Sequence, residues 1–309
     1  MALMTEMELD VDQKPEIHIP VMLSEIIEYL NLKSGGTYVD GTLGMAGHSQ
    51  AILNQIGAKG RLVGIDCDAQ SLAMAKERLK PFANQCYLVN SNFSKIDTVL
   101  EDLKIAKVDG ILLDLGISSF QIENPERGFS FRQEEPLDMR LDQNISMSAY
   151  DLVNSLSEKE ISKILRDYGQ ERWHNRIAKY IITQRAKNAI ETTDDLSRIV
   201  LKAIGQGQKW QKIHPATRTF QAFRIAVNRE LDVLKEALEK CVEVLDVGGR
   251  VAVISFHSLE DAIVKHYFRL CAKEEKIKII TTKPLRPTDE ESERNPRSRS
   301  ARLRVAERI

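Results

Sequence analysis

The chain has 309 residues, of which 42% are hydrophobic, and its formal net charge is −1. This length suffices for one large domain or two smaller ones, and the near-neutral charge excludes a protein that binds nucleic acid through overall basicity. No apolar run approaches the length of a membrane span and no signal-peptide core is visible, so we expect a soluble, cytoplasmic protein without membrane contact. Four scattered cysteines without C-x-x-C spacing exclude a zinc ribbon or a disulfide framework, and we expect no metal. They are Cys67, Cys86, Cys241 and Cys271.

The charge is unevenly distributed along the chain. Residues 161–230 contain 14 Lys plus Arg against 6 Asp plus Glu, and residues 297–309 contain five arginines and one glutamate. Such local basic surfaces on a neutral protein suit a polyanionic partner, although a solvated helical face explains the middle segment equally well. The first 16 residues are acidic, and we expect them to be disordered.

The first predicted strand-to-helix unit contains the most informative segment, residues 38–48. A short apolar run ends in Asp40, three glycines follow in the spacing G-x-x-G-x-x-G, and a helix-compatible segment begins at Ser49. Glycine permits positive φ and a close approach of a ligand to the backbone, and a helix N-terminus offers unpaired N–H groups. The segment therefore predicts a turn that holds a nucleotide-like cofactor.

The spacing of these glycines discriminates between cofactors. Dinucleotide-binding folds use G-x-G-x-x-G with an acid about 20 residues further on. Here an acid precedes the first glycine, and the next predicted strand ends in Asp66, which can accept both hydroxyls of an adenosine ribose. No Lys or Arg lies in the turn to meet a phosphate. The pattern favours S-adenosylmethionine over NAD, and the alternative is a tight turn without a ligand.

Strands and helices alternate through the first third of the chain. Strands are predicted over 62–66, 85–89 and 108–115, and helices over 69–79 and 96–103. This alternation is typical of a doubly wound parallel sheet, in which ligands bind at the carboxyl ends of the strands. Polar and aromatic side chains fall at four such ends: Asp40, Asp66, Phe93 and Asp114.

The alternation stops after Asp114 and resumes near the C-terminus. Residues 115–147 are irregular, 148–213 follow a helical pattern, and a long helix is predicted over 217–245. A buried strand is predicted over 251–255, and a last strand pair over 276–282 and 301–305. The predicted fold is α/β, a doubly wound sheet with an inserted small all-helical domain. We expect the sheet domain to comprise 17–140 and 214–309, and the insertion 141–213.

With these pieces placed, nearly the whole chain resembles the RsmH (MraW) methyltransferases. The resemblance rests on matching segments that together are very specific. They are residues 18–23, 40–44 with 47–48, 109–119, 126–131, 136–140, 214–222, 254–261 and 295–300. The resemblance implies a Rossmann-like methyltransferase fold and transfer of a methyl group from S-adenosylmethionine to N4 of a cytidine in the decoding centre of 16S ribosomal RNA.

The same resemblance implies a set of cofactor contacts: Ala46, Gly47, His48, Asp66, Phe93, Asp114 and Gln121. Asp66 is then the ribose clamp, and Phe93 lies against the adenine. Two positions depart from the family. Ala46 stands where the family usually has a glycine, which crowds the turn slightly. Ala262 stands where it usually has an arginine, so any RNA contact of that arginine is lost.

Methyl transfer to the exocyclic amine of cytosine needs an acceptor for the amine's proton. Many amino-methyltransferases provide it in a Pro-Pro-aromatic turn after the fourth strand, but this chain has Leu115-Gly116-Ile117 there. The acceptor is therefore left open among Asp114, Ser118, Asp138 and His257.

We expect RNA to be held by the helical insertion, as a substrate-recognition domain, and by the arginine-rich C-terminal segment. The candidate RNA contacts are Arg127, Arg140, Arg218, Arg297 and Arg299. The partner is then 16S ribosomal RNA within the small ribosomal subunit, and the sheet edge formed by the last strands predicts a possible homodimer. Two other functions compete: a dehydrogenase with a variant dinucleotide turn, and a non-catalytic RNA-binding assembly factor.

Overall fold

A seven-stranded sheet forms the centre of the computed structural model, which describes residues 19–205 and 214–309. The strands are β1 (Thr37–Asp40), β2 (Arg61–Asp66), β3 (Cys86–Asn90), β4 (Val108–Asp114), β5 (Leu245–Ser255), β6 (Ile277–Ile279) and β7 (Arg302–Arg308). Their order across the sheet is β3-β2-β1-β4-β5-β7-β6. The first five are parallel, and β7 pairs antiparallel with both β5 and β6. The predicted acidic tail, residues 1–16, lies outside the described residues.

Helices connect the strands and build a separate cluster. Those of the sheet region are α1 (Leu23–Tyr29), α2 (Gly47–Ile56), α3 (Ala69–Arg78), α4 (Ile96–Asp102), α5 (Ser119–Glu123), α11 (Glu230–Val244), α12 (Ser258–Lys273) and α13 (Asp289–Arg294). The others are α6 (Ala149–Ser155), α7 (Glu158–Asp167), α8 (His174–Arg185), α9 (Thr193–Ile204) and α10 (Thr217–Asn228). Within the described residues, no helix is both long and apolar enough to span a membrane.

The sheet is covered on both faces, as the doubly wound prediction requires. Alternate residues of each strand enter opposite hydrophobic clusters, because successive side chains of a strand point to opposite faces. In β4, Ile111 and Leu113 pack in the cluster with α4, α11 and α12, whereas Leu112 packs in the cluster with α1, α2 and α3. The predicted α/β fold class is confirmed.

A third hydrophobic cluster, which we call the helical cluster, is formed by α6–α10 and the irregular segment before them. Its buried members run from Phe129 to Val227 and include Leu137 and Met139 of that segment. The apolar residues recur at helical spacing, so each helix presents one buried stripe to the others. The domain boundaries at 140/141 and 213/214 stay a prediction.

The predicted single helix over 217–245 is wrong. It is two helices, α10 and α11, which are separated at Arg229. Arg229 has φ 50°, in the left-handed region, and its N–H donates to the carbonyl of Ile225. The apolar spacing continues across this residue, so periodicity alone did not reveal the break. The break ends α10 in the helical cluster and starts α11 at the sheet.

The last strands complete one edge of the sheet. The predicted C-terminal strand pair is confirmed as β6 and β7, with β7 inserted between β5 and β6. The edge strand β6 has only three residues, Ile277–Ile279, so it offers few backbone groups to a second copy. A homodimer through this edge stays a prediction.

Candidate functional site

The three central parallel strands end in acids at the same edge of the sheet. Asp40 ends β1, Asp66 ends β2 and Asp114 ends β4. Asp66 and Asp114 line one cavity, while Asp40 lies beneath it and is 1% exposed. The Asp40 carboxylate accepts hydrogen bonds from the Ser49 hydroxyl at 2.6 Å and from the backbone N–H of Thr42 at 3.2 Å. Burial raises the pKa of Asp40 to about 6.

The glycine turn shapes the wall of this cavity. Gly44 has φ 49°, and its N–H donates to the Asp66 carboxylate at 2.7 Å. Gly47 begins α2, and a Cβ there would lie 2.5 Å from Cγ of Pro20, so only glycine fits. Ala46 also adopts positive φ, 59°, but its methyl group is buried in the core rather than in the cavity lining. The whole residue is 0% exposed and does not line the cavity, so the structure does not place Ala46 at the predicted cofactor contact.

Asp66 has the geometry expected of a ribose clamp. One carboxylate oxygen accepts the N–H of Gly44, and the other accepts the N–H of Asp68 at 2.8 Å. Each oxygen keeps a further lone pair, because a carboxylate oxygen can accept two hydrogen bonds. Burial raises the pKa of Asp66 to about 6, and no cation within the described residues forms an ion pair with it. Two neighbouring hydroxyl donors would satisfy these oxygens.

Asp114 and His48 line the cavity next to each other. The Nε2–H of His48 donates to the Val21 carbonyl at 2.9 Å, and burial lowers the pKa of the ring to about 4, so the imidazole is neutral. Its Nδ1 lies 3.6 Å from Oδ2 of Asp114. Oδ1 of Asp114 is buried without a hydrogen-bond partner. Burial, together with the charges of Asp40 and Glu260, raises the pKa of Asp114 well above its ordinary value.

Phe93, Ser118 and Gln121 also line the cavity. Phe93 follows β3 in a short 3₁₀ turn, Phe93–Lys95. Ser118 caps α5: its hydroxyl accepts the N–H of Gln121 at 3.2 Å, and the Gln121 side-chain oxygen accepts the N–H of Ser118 at 2.9 Å. The Gln121 amide donates to Asp68 at 2.8 Å. Gln121 therefore fixes α5 against the start of α3, which follows the strand that carries Asp66.

A buried ion pair joins the cavity to the helical cluster, and it changes the role predicted for Arg127. The Arg127 guanidinium is 3% exposed and pairs with Asp68, which is 1% exposed, at 3.0 Å. It also donates to the carbonyls of Arg140 and Leu141 at 3.0 Å. A guanidinium so enclosed has no surface for a phosphate. The predicted RNA contact of Arg127 is therefore corrected to a structural ion pair.

Asp138 is likewise unsuited to the role predicted for it. Its carboxylate binds the Arg140 guanidinium through both oxygens, at 2.9 Å from Nε and 2.7 Å from Nη2, and it does not line the cavity. Arg140 also donates to the carbonyl of Ile145 at 2.8 Å, so the pair braces the irregular segment. Asp138 is therefore not placed to take the N4 proton, whereas the RNA contact of Arg140, whose side chain is partly exposed, stays a prediction.

The other predicted RNA contacts are exposed. Arg297 lines the cavity and pairs with Glu123 at 2.9 Å. Arg299 donates to the carbonyl of Ser292 at 3.1 Å. Arg218 lies at the start of α10, and its Nη1 donates weakly to the Gln170 carbonyl at 3.4 Å. Their placement is compatible with RNA contacts, which stay predictions.

Two carboxylates at the cavity were not recognised in the sequence. Glu230 lines it and is held by Arg224 at 2.8 and 2.9 Å. Glu260 lines it too, and it accepts the N–H groups of Phe256 at 2.8 Å and His257 at 3.2 Å. Burial acts to raise the pKa of Glu260, but the His257 hydrogen bond and nearby cations hold it below its ordinary value. The spacing of His257 and Glu260, a capping box, was the available signal.

Glu230, His257 and Glu260 bring possible metal ligand atoms within 4.8 Å of one another. The Arg224 guanidinium already occupies both oxygens of Glu230. It supplies the positive charge that these carboxylates need, so the donor set does not favour a metal ion. His257 does not line the cavity, which also weakens its candidacy as a proton acceptor.

The charge of the cavity distinguishes the two cofactors considered from the sequence. Within the described residues, its lining contains four carboxylates and one arginine, and that arginine, Arg297, is paired with Glu123. The carboxylates are Asp66, Asp114, Glu230 and Glu260. A sulfonium donor carries positive charge, whereas a dinucleotide carries two phosphates that would need cations or a cluster of N–H groups. The lining therefore fits S-adenosylmethionine and does not fit NAD.

Comparisons with known proteins identify the family to which the chain is similar. A model of the MraW methylase family matches residues 16–309. A protein of Clostridium botulinum (strain Kyoto / Type A2) named ribosomal RNA small subunit methyltransferase H is 49% identical over 308 residues, covering 94% of this chain and 99% of the relative. A protein of the same name from Clostridioides difficile (strain 630) is 46% identical over 307 residues, with the same coverage. The crystal structure of an rRNA methylase from Streptococcus thermophilus is 11% identical, with a TM-score of 0.42 and 93% coverage of both chains.

Proposed function

This chain belongs to the MraW methylase family, and from that premise we propose that it methylates N4 of a cytidine in the decoding centre of 16S ribosomal RNA. In coarser terms, it is an S-adenosylmethionine-dependent methyltransferase of small-subunit ribosomal RNA, in accord with relatives 46–49% identical over nearly their whole length. The single observation that supports its chemistry best is the acidic cavity at the carboxyl ends of β1, β2 and β4, which Asp66 and Asp114 both line.

The residues of the cavity have separate tasks toward the methyl donor. When bound, S-adenosylmethionine supplies an electrophilic methyl group on a positively charged sulfur. The Asp66 carboxylate would accept hydrogen bonds from the two ribose hydroxyls, and Phe93 would pack against the adenine. The backbone at Gly47 and the neutral ring of His48 close the wall beside the donor, and Gln121 keeps α5 in place below it. Holding both reactants in line in this way can supply roughly 7–11 kcal/mol of the barrier.

Asp114 is the acceptor that the proposal assigns to the N4 proton. S-adenosylmethionine would supply the methyl group for N4, and a carboxylate oxygen of Asp114 would accept the proton that the amine loses. Asp114 lines the cavity and has a raised pKa, which makes it a stronger base once ionised. A cationic donor next to the carboxylate favours its ionised form. Ser118 also lines the cavity, but its hydroxyl is a weaker base than a carboxylate.

The target of the reaction can be tested by mapping the product. Purified protein is incubated with methyl-labelled S-adenosylmethionine and one of two substrates. In one reaction the substrate is free 16S ribosomal RNA, and in the other it is small subunits from cells that lack the activity. Digestion to nucleosides and mass spectrometry should give N4-methylcytidine from a single decoding-centre site. A different methylated nucleoside would contradict the N4 assignment. If the protein bound S-adenosylmethionine but transferred no methyl group to either RNA substrate, the alternative of a non-catalytic RNA-binding factor would be favoured.

A further inference from the structure

One helix of the helical cluster exposes cations without exposing any acid. The sequence of α8 contains no Asp or Glu, and one of its faces, defined by Ile177, Ala178 and Ile181, is buried. The residues of the opposite face follow helical spacing and are exposed. Together with the residues that extend this line beyond both helix ends, they form what we call the α8 stripe: Arg172, Arg176, Lys179, Tyr180, Thr183 and Lys187.

The cations of the α8 stripe differ from those of the neighbouring helices. In α7, Arg166 pairs with Asp167 at 2.8 Å, and in α9 Arg198 pairs with two aspartates at 2.7 and 3.1 Å. Of the ion pairs among the described residues, none includes a cation of the stripe. A solvated helix face usually mixes both signs of charge, as α7 and α9 do. The positive charge of the stripe is therefore not neutralised by any ion pair among the described residues and is available to an anionic partner.

Aromatic rings hold the two arginines of the stripe. The Arg172 guanidinium lies 5.1 Å from the ring centroid of Trp173, and that of Arg176 lies 5.9 Å from the ring of Tyr180. Such contacts restrict the motion of the guanidinium and leave its N–H groups free to donate hydrogen bonds. An ion pair with a carboxylate would instead occupy those N–H groups. Tyr180 is itself 38% exposed, and an exposed aromatic face suits a stacked base.

The stripe begins beside the cavity. Gln170, two residues before Arg172, accepts a hydrogen bond from the hydroxyl of Ser258 at 3.0 Å, and its carbonyl accepts one from Arg218. Ser258 begins α12, whose Glu260 lines the cavity. From this end the stripe runs along the 12 residues of α8, which extend about 18 Å. A strand that enters the cavity would continue along it.

We propose that the α8 stripe binds the ribose-phosphate backbone of single-stranded RNA next to the target nucleotide, with Tyr180 stacking on one flanking base. This inference rests on the proposed function, because it needs RNA as the substrate. It goes further by assigning a second binding surface to named residues. Single-stranded RNA fits better than a duplex, since the exposed aromatic ring can stack only on an unpaired base.

The test compares two double variants that remove the same charge. Arg176→Gln with Lys179→Gln neutralises the stripe, and Lys159→Gln with Lys163→Gln neutralises two exposed lysines of α7 as the matched control. Binding of a decoding-centre RNA fragment is titrated at several salt concentrations. The stripe variant should bind about tenfold more weakly at moderate salt, and its log–log salt slope should shrink by about 1.4, because each single-strand phosphate contact contributes about 0.7. The control should change neither.

Further measurements separate this inference from the function on which it depends. The stripe variant should raise KM for RNA while kcat and the affinity for S-adenosylmethionine stay unchanged, and Tyr180→Leu should weaken RNA binding without altering the salt slope. If the unaltered protein transfers methyl groups but the stripe variant keeps the salt slope of RNA binding, the inference about the α8 stripe is wrong and the proposed function stands. Absence of transfer by the unaltered protein would overturn the proposed function. If the stripe variant lost binding only to anionic phospholipid vesicles, the surface would have another partner and the inference would be wrong.

Discussion

The cavity edge of the sheet and the helical cluster carry their charges in opposite ways. At the edge, Asp40 is buried and Asp66 and Asp114 are partly exposed to the cavity; none has a strong cation partner among the described residues, and desolvation raises the pKa of each. In the helical cluster, the cations of the α8 stripe are exposed and without acid partners in the described structure. A buried charge interacts strongly with its nearest neighbours, because the surrounding dielectric constant is low. An exposed charge attracts a charged partner from the solvent, and salt screens this attraction. The difference indicates chemistry at the first region and docking at the second.

The largest expected effect tests whether the acids at the sheet edge perform chemistry. Asp114→Asn should lower kcat by about 10²–10⁴-fold, the usual contribution of a positioned proton acceptor. In the unaltered enzyme, kcat should rise with pH, because the raised pKa of Asp114 keeps it protonated at low pH. Single-turnover kinetics at saturating donor and RNA measure both.

Asp138→Asn is the control for that measurement, since Arg140 holds Asp138 outside the cavity lining. It should leave kcat within a few-fold of the unaltered enzyme. Full activity of the Asp114 variant, or an equal loss in both variants, would assign the proton to another group.

The next effect concerns the junction between the two regions. Arg127→Met leaves the buried Asp68 carboxylate without its cation, so the free energy of unfolding should fall by about 3–5 kcal/mol. Urea denaturation measures it. Adding Asp68→Asn to the same chain should recover part of the loss, because the uncompensated charge is then removed. If Arg127→Met left stability unchanged and weakened RNA binding, Arg127 would be a docking residue after all.

The third prediction tests whether Asp66, at the sheet edge, binds the methyl donor. Asp66→Ala should weaken binding of S-adenosylmethionine by about 100-fold, the loss of two hydrogen bonds to a charged group. The control is Asp97→Ala, which removes an acid of α4 that pairs with Lys240 of α11. It should leave the affinity for S-adenosylmethionine unchanged. Isothermal calorimetry on both variants provides the comparison. An Asp66 variant that binds the donor normally would move the ribose site elsewhere.

The last prediction tests the burial of Asp40, whose pKa of about 6 exceeds the ordinary value of 3.8. Between these pH values the folded protein keeps a proton that the unfolded chain has released. The free energy of unfolding should therefore fall as pH rises from about 4 to about 6, with up to about 3 kcal/mol from this group. Asp40→Asn should remove that share. An unchanged pH slope in thermal or urea melts of the variant would contradict it.

The sequence by itself determined the fold class, the glycine turn and the strand-end acids. These features depend on local spacing: the alternation of apolar runs, the glycines that a strand-to-helix turn needs, and the acids that directly follow Val39, Ile65 and Leu113. Parallel strands bring their carboxyl ends together whatever the details of packing, so Asp66 and Asp114 could be placed in one site before any contact was known.

Only the tertiary structure decided what the individual charged side chains do. Arg127 is an exposed RNA contact or a buried ion pair depending on Asp68, which lies 59 residues away. Glu260 reaches the cavity because α12 follows β5, and the helix break at Arg229 directs Glu230 there as well. The physical reason is that the role of a charged group is set by its burial and its nearest partner, and both come from segments remote in the chain.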